Sequence, residues 1–89
     1  MIVKALPIIN KLGLHARAAA KLVNTASLYK CHVGISKDEQ SINGKSIMGV
    51  MMLAAAKGST ITVSTDGEDE IDAMEAIEKL VAACFDEGE

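Results

Sequence analysis

The sequence predicts an α+β domain, a two-layer open-faced β-sandwich in which a four-stranded antiparallel sheet carries three helices on one face and meets solvent with the other. Three observations predict it. Residues 31–36 and 59–65 alternate apolar and polar side chains, the pattern of strands with one wet face. Helical spacing of apolar residues fills the segments between and after the strands. The length, 89 residues, leaves room for one domain, 1–89, with a thin core.

The elements follow in the order β-α-β-β-α-β-α. Residues 2–9 are β-branched and apolar and read as a strand, and Pro7, which cannot donate to a ladder, places it at a sheet edge. Gly13-Leu14-His15 turn the chain. Over 16–27, Ala19, Leu22, Val23 and Ala26 recur at helical spacing, with Arg17, Lys21 and Asn24 on another face. In 31–36, Cys31, Val33 and Ile35 point one way and His32, Gly34 and Ser36 the other. Lys37-Asp38-Glu39 make a hairpin connection to a short strand over 40–43. Ser46 stands as N-cap before a short helix from 47 to about 53. Over 59–65, Ile61 and Val63 point inward and Thr60, Thr62 and Ser64 outward. The last helix follows Asp66-Gly67, gathers Glu68, Asp69, Glu70 and Asp72 where the dipole favours acids, and aligns Ile71, Met74, Ile77, Val81 and Cys84 in one stripe.

Composition excludes several function classes. Aromatics are 2% of the chain, Tyr29 and Phe85, so platforms for stacking bases are lacking. The net charge of −3 hides a division: eight basic residues against Asp38 and Glu39 in 1–65, but Lys79 against ten acids in 66–89. A +6 balance spread over 65 residues is too thin for a nucleic-acid arm, and no nucleic-acid partner is expected. Cys31 and Cys84 form no CxxC pair, and Cys31 and His32 point to opposite faces of a strand, so no metal site and no cofactor are expected. Free thiols suit a reducing compartment. Ala18-Ala19-Ala20 mimics a signal cleavage site, but Lys4, Asn10 and Lys11 interrupt the stretch before it, and the run 47–56 is too short to span a bilayer. A cytoplasmic protein without membrane insertion is expected. Gly44-Lys45-Ser46 imitates the end of a P-loop, yet the position needing the earlier glycine holds Glu39.

His15 is the first chemical candidate. It sits between a glycine turn and a helix start, near free backbone N–H groups and the positive end of the dipole. A neutral imidazole nitrogen is a nucleophile at neutral pH, and a phosphoryl group landing there would meet those donors and the Arg17 guanidinium. A structural reading competes: His15 merely begins the helix, and Arg17 is a solvated surface charge.

The stretch Asn10-Lys11-Leu12-Gly13-Leu14-His15-Ala16-Arg17-Ala18-Ala19 resembles the active-site segment of the HPr family, the histidine-containing phosphocarriers of the bacterial phosphoenolpyruvate-dependent phosphotransferase system. Asn43-Gly44-Lys45-Ser46-Ile47-Met48-Gly49-Val50-Met51, the acidic start Asp66-Gly67-Glu68-Asp69-Glu70, the length and the element order resemble the same family. The resemblance implies a phosphoryl relay. His15 would take the group on Nδ1 from phospho-enzyme I and hand it to a histidine of an enzyme IIA protein, with Arg17 stabilising the group in transit. The chain would then be a covalent carrier without turnover of its own. The alternative is a mainly regulatory member of the family with little transport flux.

Ser46 has a structural role as helix cap, and the resemblance adds phosphorylation by an HPr kinase/phosphorylase. Such a phosphate would bring about −1.5 to −2 charges beside an apolar docking surface. That surface is expected from Met48, Met51 and Met52, with Ile47 at its rim and Val50 and Leu53 turned to the core. Methionine suits a patch that docks on several partners. By resemblance, Ala16, Ala20 and Lys45 join it. Lys11, Arg17, Lys21 and Lys45 are expected around His15 and this patch, where acidic partner surfaces arrive. A monomer is expected. One position departs from the family pattern: Ala18 stands where the family usually has proline, which pre-sets φ and lacks an N–H.

Overall fold

In the computed structural model of the chain, which describes residues 1–86, Pro7 closes an edge strand. The elements are β1 (Ile2–Pro7), α1 (Ala16–Ser27), β2 (His32–Lys37), β3 (Gln40–Asn43), α2 (Ile47–Met52), β4 (Thr60–Asp66) and α3 (Glu70–Ala82), followed by a 3₁₀ turn at Cys84–Asp86. The strands form one antiparallel sheet in the order β1-β4-β2-β3. A strand that contains proline loses a ladder donor, and the edge is where that loss is cheapest. The predicted α+β open-faced architecture is the observed one.

Register explains which face is covered. Leu6 pairs with Ile61, and Ile35 with both Ile42 and Val63, so these side chains share the face that the helices cover. Leu6, Val33, Ile35, Ile61 and Val63 are buried there with Leu22 and Ala26 of α1, Val50 of α2 and Met74, Ile77 and Val81 of α3. Val3, Ala5, His32 and Asn43 point the other way and are exposed. No helix among the described residues is long and apolar enough to cross a membrane.

Boundaries shift where tertiary partners intervene. The first strand ends at Pro7, not at residue 9, because its partner strand begins at Thr60; Ile8 instead exchanges bonds with the preceding turn, its N–H reaching Ser59 O at 2.8 Å and its carbonyl accepting from Gly58 N at 2.9 Å. The second strand starts at His32, since the N–H of Cys31 goes to the Asp69 carboxylate at 2.9 Å. Ile71, expected in the buried stripe of α3, is exposed. The buried arc is set by Ala73, Met74, Ile77 and Val81, and Ile71 lies about 100° around the helix from its centre. Thr65, an inward residue that the alternation pattern overlooked, is wholly buried and donates its hydroxyl to Glu70 O at 3.0 Å.

The acids before α3 do more than oppose the dipole. Asp69 occupies the N-cap position but makes no side-chain bond to its own helix. Its carboxylate crosses to the chain leaving α1 and accepts from Lys30 N at 2.8 Å and Cys31 N at 2.9 Å. Glu70 accepts from Gly67 N at 3.1 Å. The Lys30 amide above all holds the Asp69 carboxyl below its usual range, as the Gly67 amide does for Glu70. A carboxyl lowered by folding contributes stability above its unfolded pKa and loses that contribution as pH falls through the folded value. The urea midpoint is therefore expected to fall on acidification from pH 5 to pH 2, and Asp69→Asn to flatten that fall; an unchanged slope in the variant would remove Asp69 from the account. Burial pushes the neighbouring Cys31 thiol up, so it stays protonated and unreactive.

Three lysines bind carbonyls at helix ends, where the last C=O groups lack partners. Lys45 Nζ donates to Tyr29 O beyond α1 at 2.6 Å, Lys37 Nζ to Leu53 O at the end of α2 at 3.4 Å, and Lys21 Nζ to Phe85 O beyond α3 at 2.8 Å.

Candidate functional site

The loop from β1 to α1 is pinned on several sides before it reaches His15. Asn10 is fully buried and donates its carboxamide to Gly13 O at 2.8 Å, while Gly13 N returns to Asn10 O at 3.2 Å. Leu14 is buried and its N–H reaches Ala55 O at 2.8 Å. Gly13 has φ +66°, and a Cβ there would stand 2.4 Å from Ala55 O and 2.8 Å from Ala56 Cα. Both the left-handed backbone and the close approach demand glycine. The loop therefore has one path across the end of α2.

His15 follows as the N-cap of α1, with the extended backbone of a capping residue (φ −73°, ψ 176°) and no side-chain cap bond. Its carbonyl accepts from Ala19 N at 2.8 Å, the first helical bond. The ring is half-buried, with Arg17 exposed two residues on. The arrangement couples an imidazole to the positive end of a 12-residue helix and an exposed cation. It suits transient attachment of a dianion, and it needs no cavity. The groove of about 430 Å³, lined by His32, Gly34, Asn43, Ser64 and Asp66 among others, is on the sheet's open side instead. Among the described residues no three His, Cys, Asp or Glu side chains converge for a metal ion.

The second candidate region lies along α2. Ser46 caps it, its Oγ accepting from Gly49 N at 3.2 Å. Val50 and Leu53 are buried, while Ile47, Met48, Met51 and Met52 are exposed. A six-residue helix in a thin sandwich covers the core with one side and leaves the other apolar side in solvent. The end of this helix leads into Ala55, which holds Leu14, so the methionine face adjoins the His15 loop. Ala16 and Ala20, four residues apart, share a stripe of α1, which packs on α2.

The structure separates other predicted members. Ser46 is at the far end of α2, roughly 10 Å along the helix from the loop contact. Lys45 does not stand beside His15: its ammonium is tied to Tyr29 O, at the opposite end of α1, about 18 Å along that helix. Lys21 is likewise engaged with Phe85 O, so that of the four predicted cations Arg17 and Lys11 are the exposed ones. Asn10 and the Ala55 carbonyl are the supports that sequence reasoning missed. A polar residue between an apolar strand and a glycine turn was a signal for Asn10; a backbone carbonyl 40 residues away leaves none.

Comparison with known proteins completes this geometry. A family model described as "PTS HPr component phosphorylation site" matches residues 2–83. Phosphocarrier protein HPr of Neisseria meningitidis is 54% identical over 89 residues, all of both chains, and that of Pseudomonas aeruginosa 54% identical over 83 residues, 92% of each. Among solved structures, HPr-C-His from Thermoanaerobacter tengcongensis superposes with a TM-score of 0.94 at 40% identity over 98% of both chains. HPr from Bacillus anthracis gives 0.84 at 41% identity, covering 88% of this chain and 93% of its own. One further structure, described as an HPr dimer from Thermoanaerobacter tengcongensis, gives 0.77 at 41% identity over 90% of this chain and 92% of its own. With the fold, its element order and the whole-length identity in agreement, the chain belongs to the HPr family, the phosphocarrier proteins of the phosphotransferase system.

Proposed function

We propose that the protein accepts a phosphoryl group from phospho-enzyme I on His15 Nδ1 and passes it to a histidine of an enzyme IIA protein in the cytoplasm. The observation that carries this reading is the placement of His15 as an uncapping N-cap residue, its imidazole held by a rigid loop at the mouth of α1. The Nδ1 lone pair forms the new P–N bond as the P–N bond to the donor histidine breaks, and the donor ring departs with its electron pair. Arg17 and the first amides of α1 offset the phosphoryl charge. Each step exchanges one phosphohistidine for another, so the chain is a substrate of its partners rather than an enzyme with turnover.

Ala16, Ala20, Ile47, Met48, Met51 and Met52 form the docking surface, with Lys45 at its margin. In this reading the working unit is a monomer. Ser46, half-buried at the start of the methionine helix, is the site at which an HPr kinase/phosphorylase would add charge and repel partners that need the patch neutral. Incubation with phosphoenolpyruvate and enzyme I should yield a chain carrying one acid-labile phosphoryl group that a IIA protein removes; absence of the labile group overturns the reading. For Ser46, titration of enzyme I against Ser46→Asp should show weaker binding than wild type, and equal affinity would count against the switch.

A further inference from the structure

Building on the reading of His15 as the phosphoryl acceptor, we propose that Asn10 is a positioning residue for the transfer: its buried carboxamide fixes the peptide unit on which His15 is mounted. The Gly13 C=O and the Leu14 N–H are the two ends of one planar unit. Asn10 Nδ2 donates to the first at 2.8 Å, and the second donates to Ala55 O at 2.8 Å, so the unit is held from both sides against rotation. The Leu14 side chain is buried in the core and anchors its Cα. Beyond His15 the helix fixes the chain again, where His15 O accepts from Ala19 N at 2.8 Å. The unit joining Leu14 to His15 is thus suspended between fixed neighbours, and the direction in which the histidine leaves the backbone follows from them.

Of these hydrogen bonds, the one from Asn10 is supplied by a side chain; the others are main-chain bonds. Asn10 and Gly13 are both buried, so loss of the carboxamide leaves the Gly13 carbonyl without solvent as a ready substitute. An in-line transfer needs the Nδ1 lone pair aimed along the P–N axis, and a misplacement of about 1 Å costs about 100-fold in rate. A loop that sets this aim beforehand speeds both receipt and donation of the group. Asn10 exchanges no proton, so the transfer is balanced as before, one P–N bond formed for one broken. Its effect falls on the transfer step and not on docking, because a wholly buried side chain is out of a partner's reach.

The test uses the full chain in single-turnover transfer from phospho-enzyme I, with the rate read against enzyme I concentration. Asn10→Ala should lower the rate at saturation about 10–100-fold and leave the half-saturating concentration unchanged. Asn10→Asp keeps the size of the side chain but turns an acceptor toward Gly13 O, and it should be slower than Asn10→Ala. Amide spectra away from residues 10–15 establish that the variants fold. In the wild type, the Leu14 and His15 amides should have order parameters of about 0.85, and the Asn10 carboxamide protons should be protected from exchange; order parameters below about 0.6, or free exchange, overturn the proposal whether or not the variants fold. A saturating rate within about twofold of wild type in folded Asn10→Ala, a loss confined to the half-saturating concentration, or an Asn10→Asp chain faster than Asn10→Ala also overturns it and leaves the carrier reading intact. No phosphate on wild-type His15 overturns both.

Discussion

His15→Ala is expected to fold as wild type and to take up no acid-labile phosphate from phosphoenolpyruvate and enzyme I. The residue makes no side-chain cap bond, and the loop that precedes it is held by Asn10 on Gly13 O and by Leu14 N on Ala55 O. Stability should therefore change by less than about 1 kcal/mol, as for most substitutions outside the core. Chemistry should vanish, because the chain's other imidazole, His32, is on the sheet's open side, paired in register with Asp66. Arg17→Ala separates the nucleophile from its electrostatic support. It should still be phosphorylated, but with a specificity constant lowered about 10–100-fold, the value of one charge-assisted contact in the transition state. Mass spectrometry of intact chains before and after acid treatment reads both results. A labile phosphate that persists in His15→Ala would place the acceptor elsewhere.

The second large effect is structural. Phe85→Ala is expected to destabilise the fold by about 3–5 kcal/mol, seen as a lower urea midpoint with the slope unchanged. Phe85 is the chain's one phenylalanine and is wholly buried, so its loss leaves a cavity in a hydrophobic core made otherwise of aliphatic side chains, Met74 and Cys31. The surrounding backbone depends on that burial. Cys84, Phe85 and Asp86 all have positive φ, 54°, 54° and 63°, a run that L-residues adopt only under tertiary constraint. Ring packing, the Lys21 bond to Phe85 O at 2.8 Å and Asp86 N on Ala83 O at 3.0 Å hold it. Against a typical total of about 5–15 kcal/mol, the loss would remove much of the margin. A change below about 1 kcal/mol would show that the turn is detached in solution.

Both predictions join residues that the sequence treats very differently. The alternation of Val33 with Ile35 and of Ile61 with Val63 made the sheet legible, since a period of two permits only one buried face. Pro7 announced an edge strand, and Ser46 announced a helix start, because each acts through backbone chemistry that is local. The placement of His15 at the start of α1 was legible for the same reason: a glycine turn precedes it and the helical spacing begins directly after it.

Long-range partners were not legible. Asp69 reads as one more acid at the start of a helix, yet its carboxylate crosses to Lys30 and Cys31 and displaces the start of β2 by one residue. Lys45 reads as a cation for an acidic partner, yet its ammonium is committed to Tyr29 O at the end of α1 remote from His15. Ile71 reads as core, because spacing alone does not tell where the buried arc of a helix is centred.

By itself, then, the sequence determined the element order, the covered face of the sheet and the cap of α2, all set by periods and contacts of a few residues. Only the tertiary structure decided how the His15 loop is held against Ala55, which lysines close the helix ends, and where the apolar side of α2 emerges. Those outcomes depend on carbonyls and carboxylates brought together across many residues, and such proximity is a property of the folded chain that no local pattern encodes.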